Sequence, residues 1–198
     1  MKVRILFLIC FLSITCLLNA ADKPVIQIHT DNSSLIFRVA DNGRLYQSYL
    51  GKKLNHEADI SHLPQGTEAY ITHGMEDYFE PAIHILHNDG NPSLLLKYVS
   101  HETKAVSQGV NETIITLGDD KYPVTVKLHY VTYPAEDIIK TYTEISHKEK
   151  KPVVLHQYAS SMLHLNRAKY YLTEFSGDWA HEANISDQPL EFGKKVLD

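Results

Sequence analysis

Beyond residue 21 the chain has no cysteine, because Cys10 and Cys16 are the only two and both fall inside the first 21 residues. Disulfide scaffolds and thiolate metal sites are excluded for everything that follows. Basic clusters are missing as well: Lys2 and Arg4 also lie in that opening segment, which leaves 17 Lys and Arg against 24 Asp and Glu, a balance of −7. A nucleic acid or an anionic membrane would find no basic patch to bind. Long apolar runs are confined to residues 5–18. No later window of a dozen residues carries a capped, amphipathic helical pattern. A helical bundle is therefore excluded, and so is any α/β architecture that needs regular crossover helices.

The opening segment sets two basic residues ahead of an apolar run, then Ala20 and Ala21, then the charged Asp22. This pattern predicts a secretory signal peptide over residues 1–21, with the cut after Ala20 or Ala21 and no membrane attachment afterwards. Export of a protein without disulfides suits a bacterial periplasm. Residues 22–198 are then one domain, since the length holds one sizeable core and no second large unit.

What fills that domain is strand pattern. Residues 34–40 and 44–50 flank Asp41-Asn42-Gly43, where Asn-Gly supplies the positive φ angles of a tight hairpin turn. Val124, Val126, Leu128 and Tyr130 alternate with Thr125, Lys127 and His129, the period of two expected of a half-buried strand over 124–133. Residues 25–30, 68–72, 82–86, 93–102, 113–117, 137–147, 153–165, 170–175 and 179–185 read as strands too. Residues 55–66, with His56 and His62, read as a long loop, and Ser176-Gly177-Asp178 reads as the turn between the last two strands. About a dozen strands exceed a seven-stranded immunoglobulin-type domain, so the expected fold class is all-β, a large two-sheet antiparallel sandwich.

One stretch stands out as site-like. Residues 68–86 join two strands through a polar connection that holds Gly74, Glu76, Asp77, Glu80 and Pro81, and such connections are where binding chemistry collects. Its order, Gly74-x-x-Asp77-Tyr78-x-x-Pro81-Ala82, resembles the loop that the N-terminal β domain of family 36 glycoside hydrolases (α-galactosidases) extends toward the sugar site. A second segment, Leu172-Thr173-x-x-Ser176-Gly177-x-Trp179-x-x-Glu182, is the more specific match. From residue 21 to the end the chain is similar to that β domain, a supersandwich of the galactose-mutarotase-like type.

The resemblance implies a non-catalytic domain bracing a (β/α)8 barrel that carries both catalytic aspartates and is absent from this sequence. No catalytic residue is assigned here. Retaining hydrolysis needs two carboxylates about 5 Å apart across the scissile bond, and none of these residues takes either role. The implied substrate-binding residues are Asp77, which would reach the galactose pocket, and Tyr78 beside it. Two positions depart from the family loop: Glu76 replaces a usual Gly or Ser, and Phe79 replaces the Arg that could orient the Asp by a bidentate pair. The implied partners are an α-galactoside oligosaccharide, the barrel and further copies in a homo-oligomer; no cofactor is implied.

Two readings from other classes remain open at this point, a free-standing carbohydrate-binding module and a structural sandwich. Trp179, the only tryptophan, bears on the first, but its place after Gly177-Asp178 fits packing of the sandwich or a seam with the barrel better. His84 and His87, three apart on a strand, point to opposite faces and cannot share a metal ion, so no metal site is expected. The other histidines read as surface or satisfied core residues, and the twelve tyrosines as sheet formers.

Overall fold

The computed structural model describes residues 23–75, 80–165, 169–179, 181–191 and 193. Their elements are β1 (Val25–His29), β2 (Ser33–Val39), β3 (Leu45–Lys52), α1 (Glu57–Ser61), β4 (Thr67–Glu68), β5 (Ile83–Leu86) and β6 (Lys97–Ser107), followed by β7 (Val110–Gly118), β8 (Val124–Tyr133), β9 (Ile138–His147), β10 (Val154–Tyr158), β11 (Tyr171–Asp178) and β12 (His181–Pro189). Two four-stranded sheets, in the orders β1-β2-β3-β4 and β6-β7-β8-β9, form the body, and β5 pairs with β10 and β11 with β12 as shorter ladders. Every named pairing is antiparallel. The fold is the all-β sandwich that the alternation predicts.

The alternation explains how the two sheets meet. Ile26 and Ile28 on β1 and Leu35 and Phe37 on β2 share one buried cluster with Ile115 and Leu117 on β7 and with Val124, Val126, Leu128 and Tyr130 on β8. Phe37 and Tyr130 touch across the layers at a ring separation of 5.1 Å. Burying such side chains stabilises by about 1.5–3 kcal/mol each, so this row specifies which face of each strand turns inward. Burial also pushes the Tyr130 phenol well above its usual range.

Polar ties fix the edges. Asp137, held at a φ of 56° after β8, accepts from Thr30 Oγ1, from the Asn32 N–H at 3.3 Å and from Ser33 Oγ at 3.2 Å. One carboxylate thus joins the β8–β9 turn to the β1–β2 turn. Arg44 and Glu68, nearly buried beside β3 and β4, form a bidentate pair whose Nε–Oε1 distance is 2.8 Å. Fully buried Gln47 completes the brace: its Nε2 donates to the His164 carbonyl at 2.7 Å and its Oε1 accepts the His164 N–H at 3.1 Å.

Four local expectations are corrected. The hairpin before β3 uses only one positive φ, that of Gly43 at 79°. Asn42 serves through its side chain instead, its Oδ1 accepting the Arg44 N–H at 2.9 Å and its Nδ2 donating to Tyr46 Oη at 2.9 Å. Residues 57–61 of the expected long loop form one helical turn that buries Ile60. The last hairpin turns later than Ser176-Gly177-Asp178, since β11 runs through Asp178, which pairs with His181. Trp179 at that turn is 92% exposed and does not pack in the sandwich.

Candidate functional site

The expected site loop is clamped at both ends. On the entry side the Thr72 hydroxyl donates to the Leu94 carbonyl at 2.6 Å and the His73 N–H to the Ile83 carbonyl at 3.0 Å. On the exit side the Ala82 N–H donates to the Ile71 carbonyl at 2.7 Å, and the Ala159 N–H to the Ala82 carbonyl at 2.7 Å. Gln157 Nε2 adds bonds to the Pro81 carbonyl at 2.8 Å and to Glu80 Oε1 at 3.2 Å. Gly74 turns the chain at a φ of 85°, a conformation that a side chain would strain. The expected sugar-contact residues Asp77 and Tyr78, with Glu76 and Phe79, lie outside the described residues.

Two features flank the clamped ends. A cleft of about 210 Å³ is lined by Met75, Ser93, Leu95, Asp119, Lys121 and Tyr122, among others. Near the other end three imidazoles pile up, His84 of β5 stacking on His73 at 3.7 Å and leaning on His156 of β10 at 4.8 Å. Desolvation first, and the two neighbouring imidazoles second, lower the pKa of His84 below its usual value. His87, one residue beyond the end of β5, goes elsewhere. It is buried against Tyr122 at 3.5 Å, with Nδ1 2.6 Å from Glu149 Oε1. Among the described residues no group of three or more His, Cys, Asp and Glu is arranged to hold a metal ion.

Sequence reasoning missed a second polar constellation, on the outer face of β6–β9. Glu112 of β7 accepts from Tyr142 Oη of β9 at 2.6 Å and from His129 Nδ1 of β8 at 2.9 Å, while Lys104 Nζ of β6 lies 3.0 Å from its other oxygen. The Tyr142 hydrogen bond, then those from His129 and Lys104, bring the Glu112 carboxyl down to about 2. Strand register was the missing information. Lys104 sits opposite Glu112 and His129 opposite Tyr142, and no spacing along the chain reveals that.

The class of protein follows from this sandwich and from comparison with known families. Residues 42–198 match the family model described as the glycosyl hydrolase family 36 N-terminal domain, and the chain belongs to that family. The relatives it matches are α-galactosidases. The probable alpha-galactosidase G of Aspergillus terreus and the alpha-galactosidase C of Emericella nidulans are each 25% identical over 133 residues, 61% of this chain and 18% of theirs. Among solved structures, the GH36 α-galactosidase AgaA of Geobacillus stearothermophilus superposes with a TM-score of 0.77 at 19% identity over 86% of this chain and 28% of that one. The α-galactosidase of Lactobacillus brevis gives 0.73 at 20% identity over 85% and 28%. A variant of AgaA is solved with raffinose and another with stachyose. The chain therefore spans less than a fifth of the curated relatives and just over a quarter of the solved enzymes.

Proposed function

We propose that this chain is the non-catalytic N-terminal domain of an exported α-galactosidase-like enzyme acting on α-galactoside oligosaccharides, with residues 1–21 as the signal peptide and the periplasm as destination. It braces a (β/α)8 barrel and presents Asp77 and Tyr78 at the rim of the sugar pocket. An ionised carboxylate accepts hydrogen bonds from two vicinal sugar hydroxyls, which suits Asp77 to that position. The hydrogen bonds that hold residues 71–73 and 80–83 support the reading, because flanking segments fixed in advance lose no freedom on binding.

The observation that carries the bracing role is the exposure of large apolar side chains on β10, β11 and β12, which we read as the seam with the barrel. Val154, Tyr158, Tyr171, Phe175, Trp179 and Ile185 are each more than half exposed, and among the described residues β11 and β12 pair only with each other. Solvent-facing apolar patches of this kind mark surfaces that another unit covers. Calorimetry with galactose or melibiose tests it. A bracing domain binds these sugars at about millimolar strength or not at all, and tight binding by this chain alone would favour a free-standing module.

A further inference from the structure

The outer face of β6–β9 carries a groove of about 480 Å³ lined by Val106, Glu112, Val131, Tyr133, Lys140 and Tyr142. That is within the range of about 300–1,000 Å³ that small-molecule sites occupy. We infer that this groove is a second carbohydrate site, which takes one pyranose ring of a neutral sugar with its apolar face against Tyr142 and its hydroxyls toward Glu112 and Lys140.

The walls argue for that ligand class. Two tyrosines and two valines offer apolar surface for the C–H face of a ring, and one carboxylate and one ammonium offer an acceptor and donors for its hydroxyl edge. Glu112 is already paired with Lys104 at 3.0 Å, so what the lining offers a ligand is hydrogen-bonding capacity beside apolar surface, which suits a polyhydroxylated ring. Tyr142 is held in place before any ligand arrives. One ring face stacks on His129 at 4.2 Å and 14°, and the hydroxyl donates to Glu112 at 2.6 Å. The residue nonetheless stays 39% exposed and lines the groove. Lys140 Nζ stands over the Tyr142 ring, 5.9 Å from its centre, and its flexible four-carbon stem lets the ammonium move aside to meet a sugar hydroxyl. A pre-set aromatic wall spares the ordering cost that weakens binding on flexible surfaces. Glu112, kept ionised down to about pH 2 by its three donors, is an acceptor at any ordinary pH.

The choice of an α-galactoside as probe rests on the function proposed above; the groove chemistry does not. The test is amide-resolved NMR titration of the isotope-labelled chain with methyl α-galactoside and, separately, methyl α-glucoside. We expect saturable shifts at Val131, Tyr133, Lys140 and Tyr142 with a Kd of about 1–10 mM. Tyr133→Ala and Lys140→Ala, which leave the Glu112 network intact, should each raise the Kd about fivefold or more, equivalent to about 1 kcal/mol, with the rest of the spectrum unchanged. No saturable shift on this face, or a Kd in both variants unchanged from that of the unsubstituted chain, would overturn the site, as would a concentration-dependent dimer that buries these residues. Binding of both glycosides alike upholds the groove as a general pyranose site. The loop reading fails separately, through unchanged kinetics of Asp77→Ala in the full-length enzyme.

Discussion

Single residues in this chain do their work through a few buried polar contacts that strand register creates. Arg44 and Glu68 are the clearest case: with side chains 12% and 5% exposed, neither charge can fall back on water if its partner is removed. Arg44→Met should therefore cost about 3 kcal/mol, read as a lower urea midpoint with an unchanged slope. Gly66 is comparably constrained. It sits at a φ of 84°, and a Cβ there would overlap the Gln47 carbonyl oxygen. Gly66→Ala should destabilise by about 2 kcal/mol or more, from strain and overlap together. Glu112 has a pH signature. Its carboxyl lies at about 2 in the folded chain, against an ordinary 4.5, so the unfolded chain binds the proton first. The stability it contributes is complete above pH 4.5 and is lost as the pH falls toward about 2. Glu112→Gln should flatten that limb of a pH–stability curve, and an equally steep limb would assign the acid sensitivity to other carboxylates.

At the scale of elements, legibility followed the burial of one face. β8 runs over the residues its alternation marks, Val124–Tyr133, because Val124, Val126, Leu128 and Tyr130 are all buried. β6 shows the opposite. Most of Lys97–Ser107 is exposed on both faces, so no period was written into it, and the expected strand over 93–102 begins four residues early and ends five short. The turn of α1 leaves no mark in the sequence because one buried side chain, Ile60, is too few for a helical period. Composition marks the loop at 68–86 but not its clamps, since Gln157 and Ala159 reach it from far along the chain. The β5–β10 ladder carries its own prediction. His84 has a folded pKa below the ordinary 6.5, so the unfolded chain takes up the proton more readily. Its contribution to stability is complete above pH 6.5 and is lost as the pH falls below it. His84→Gln should narrow the gap between urea midpoints measured at about pH 7.5 and about pH 5, a window set by the ordinary histidine range. An unchanged gap would mean that the stacked imidazoles are not what acid acts on.

For the molecule as a whole, the contrast between its two ends decides how the seam is to be tested. The first two sheets close over a common core, whereas the β11–β12 hairpin leaves Phe175 69% and Ile185 67% exposed although they face each other across the ladder. Side chains that already sit in water contribute little to the stability of this chain, so Phe175→Ser with Ile185→Ser should shift its unfolding free energy by no more than about 1 kcal/mol. The same pair should reduce self-association and dye binding of the isolated chain, because both depend on exposed apolar surface. In a full-length enzyme the outcome should reverse. If a barrel covers the seam, the two serines leave polar groups in an apolar interface, which costs about 1–3 kcal/mol for each one left unpaired. The unfolding temperature and α-galactosidase activity should then fall together. The bracing role requires that asymmetry between the two contexts. Equal tolerance in both would show that the hairpin stays in solvent and does not hold a barrel, and the role would then have to be sought on another face of the sandwich.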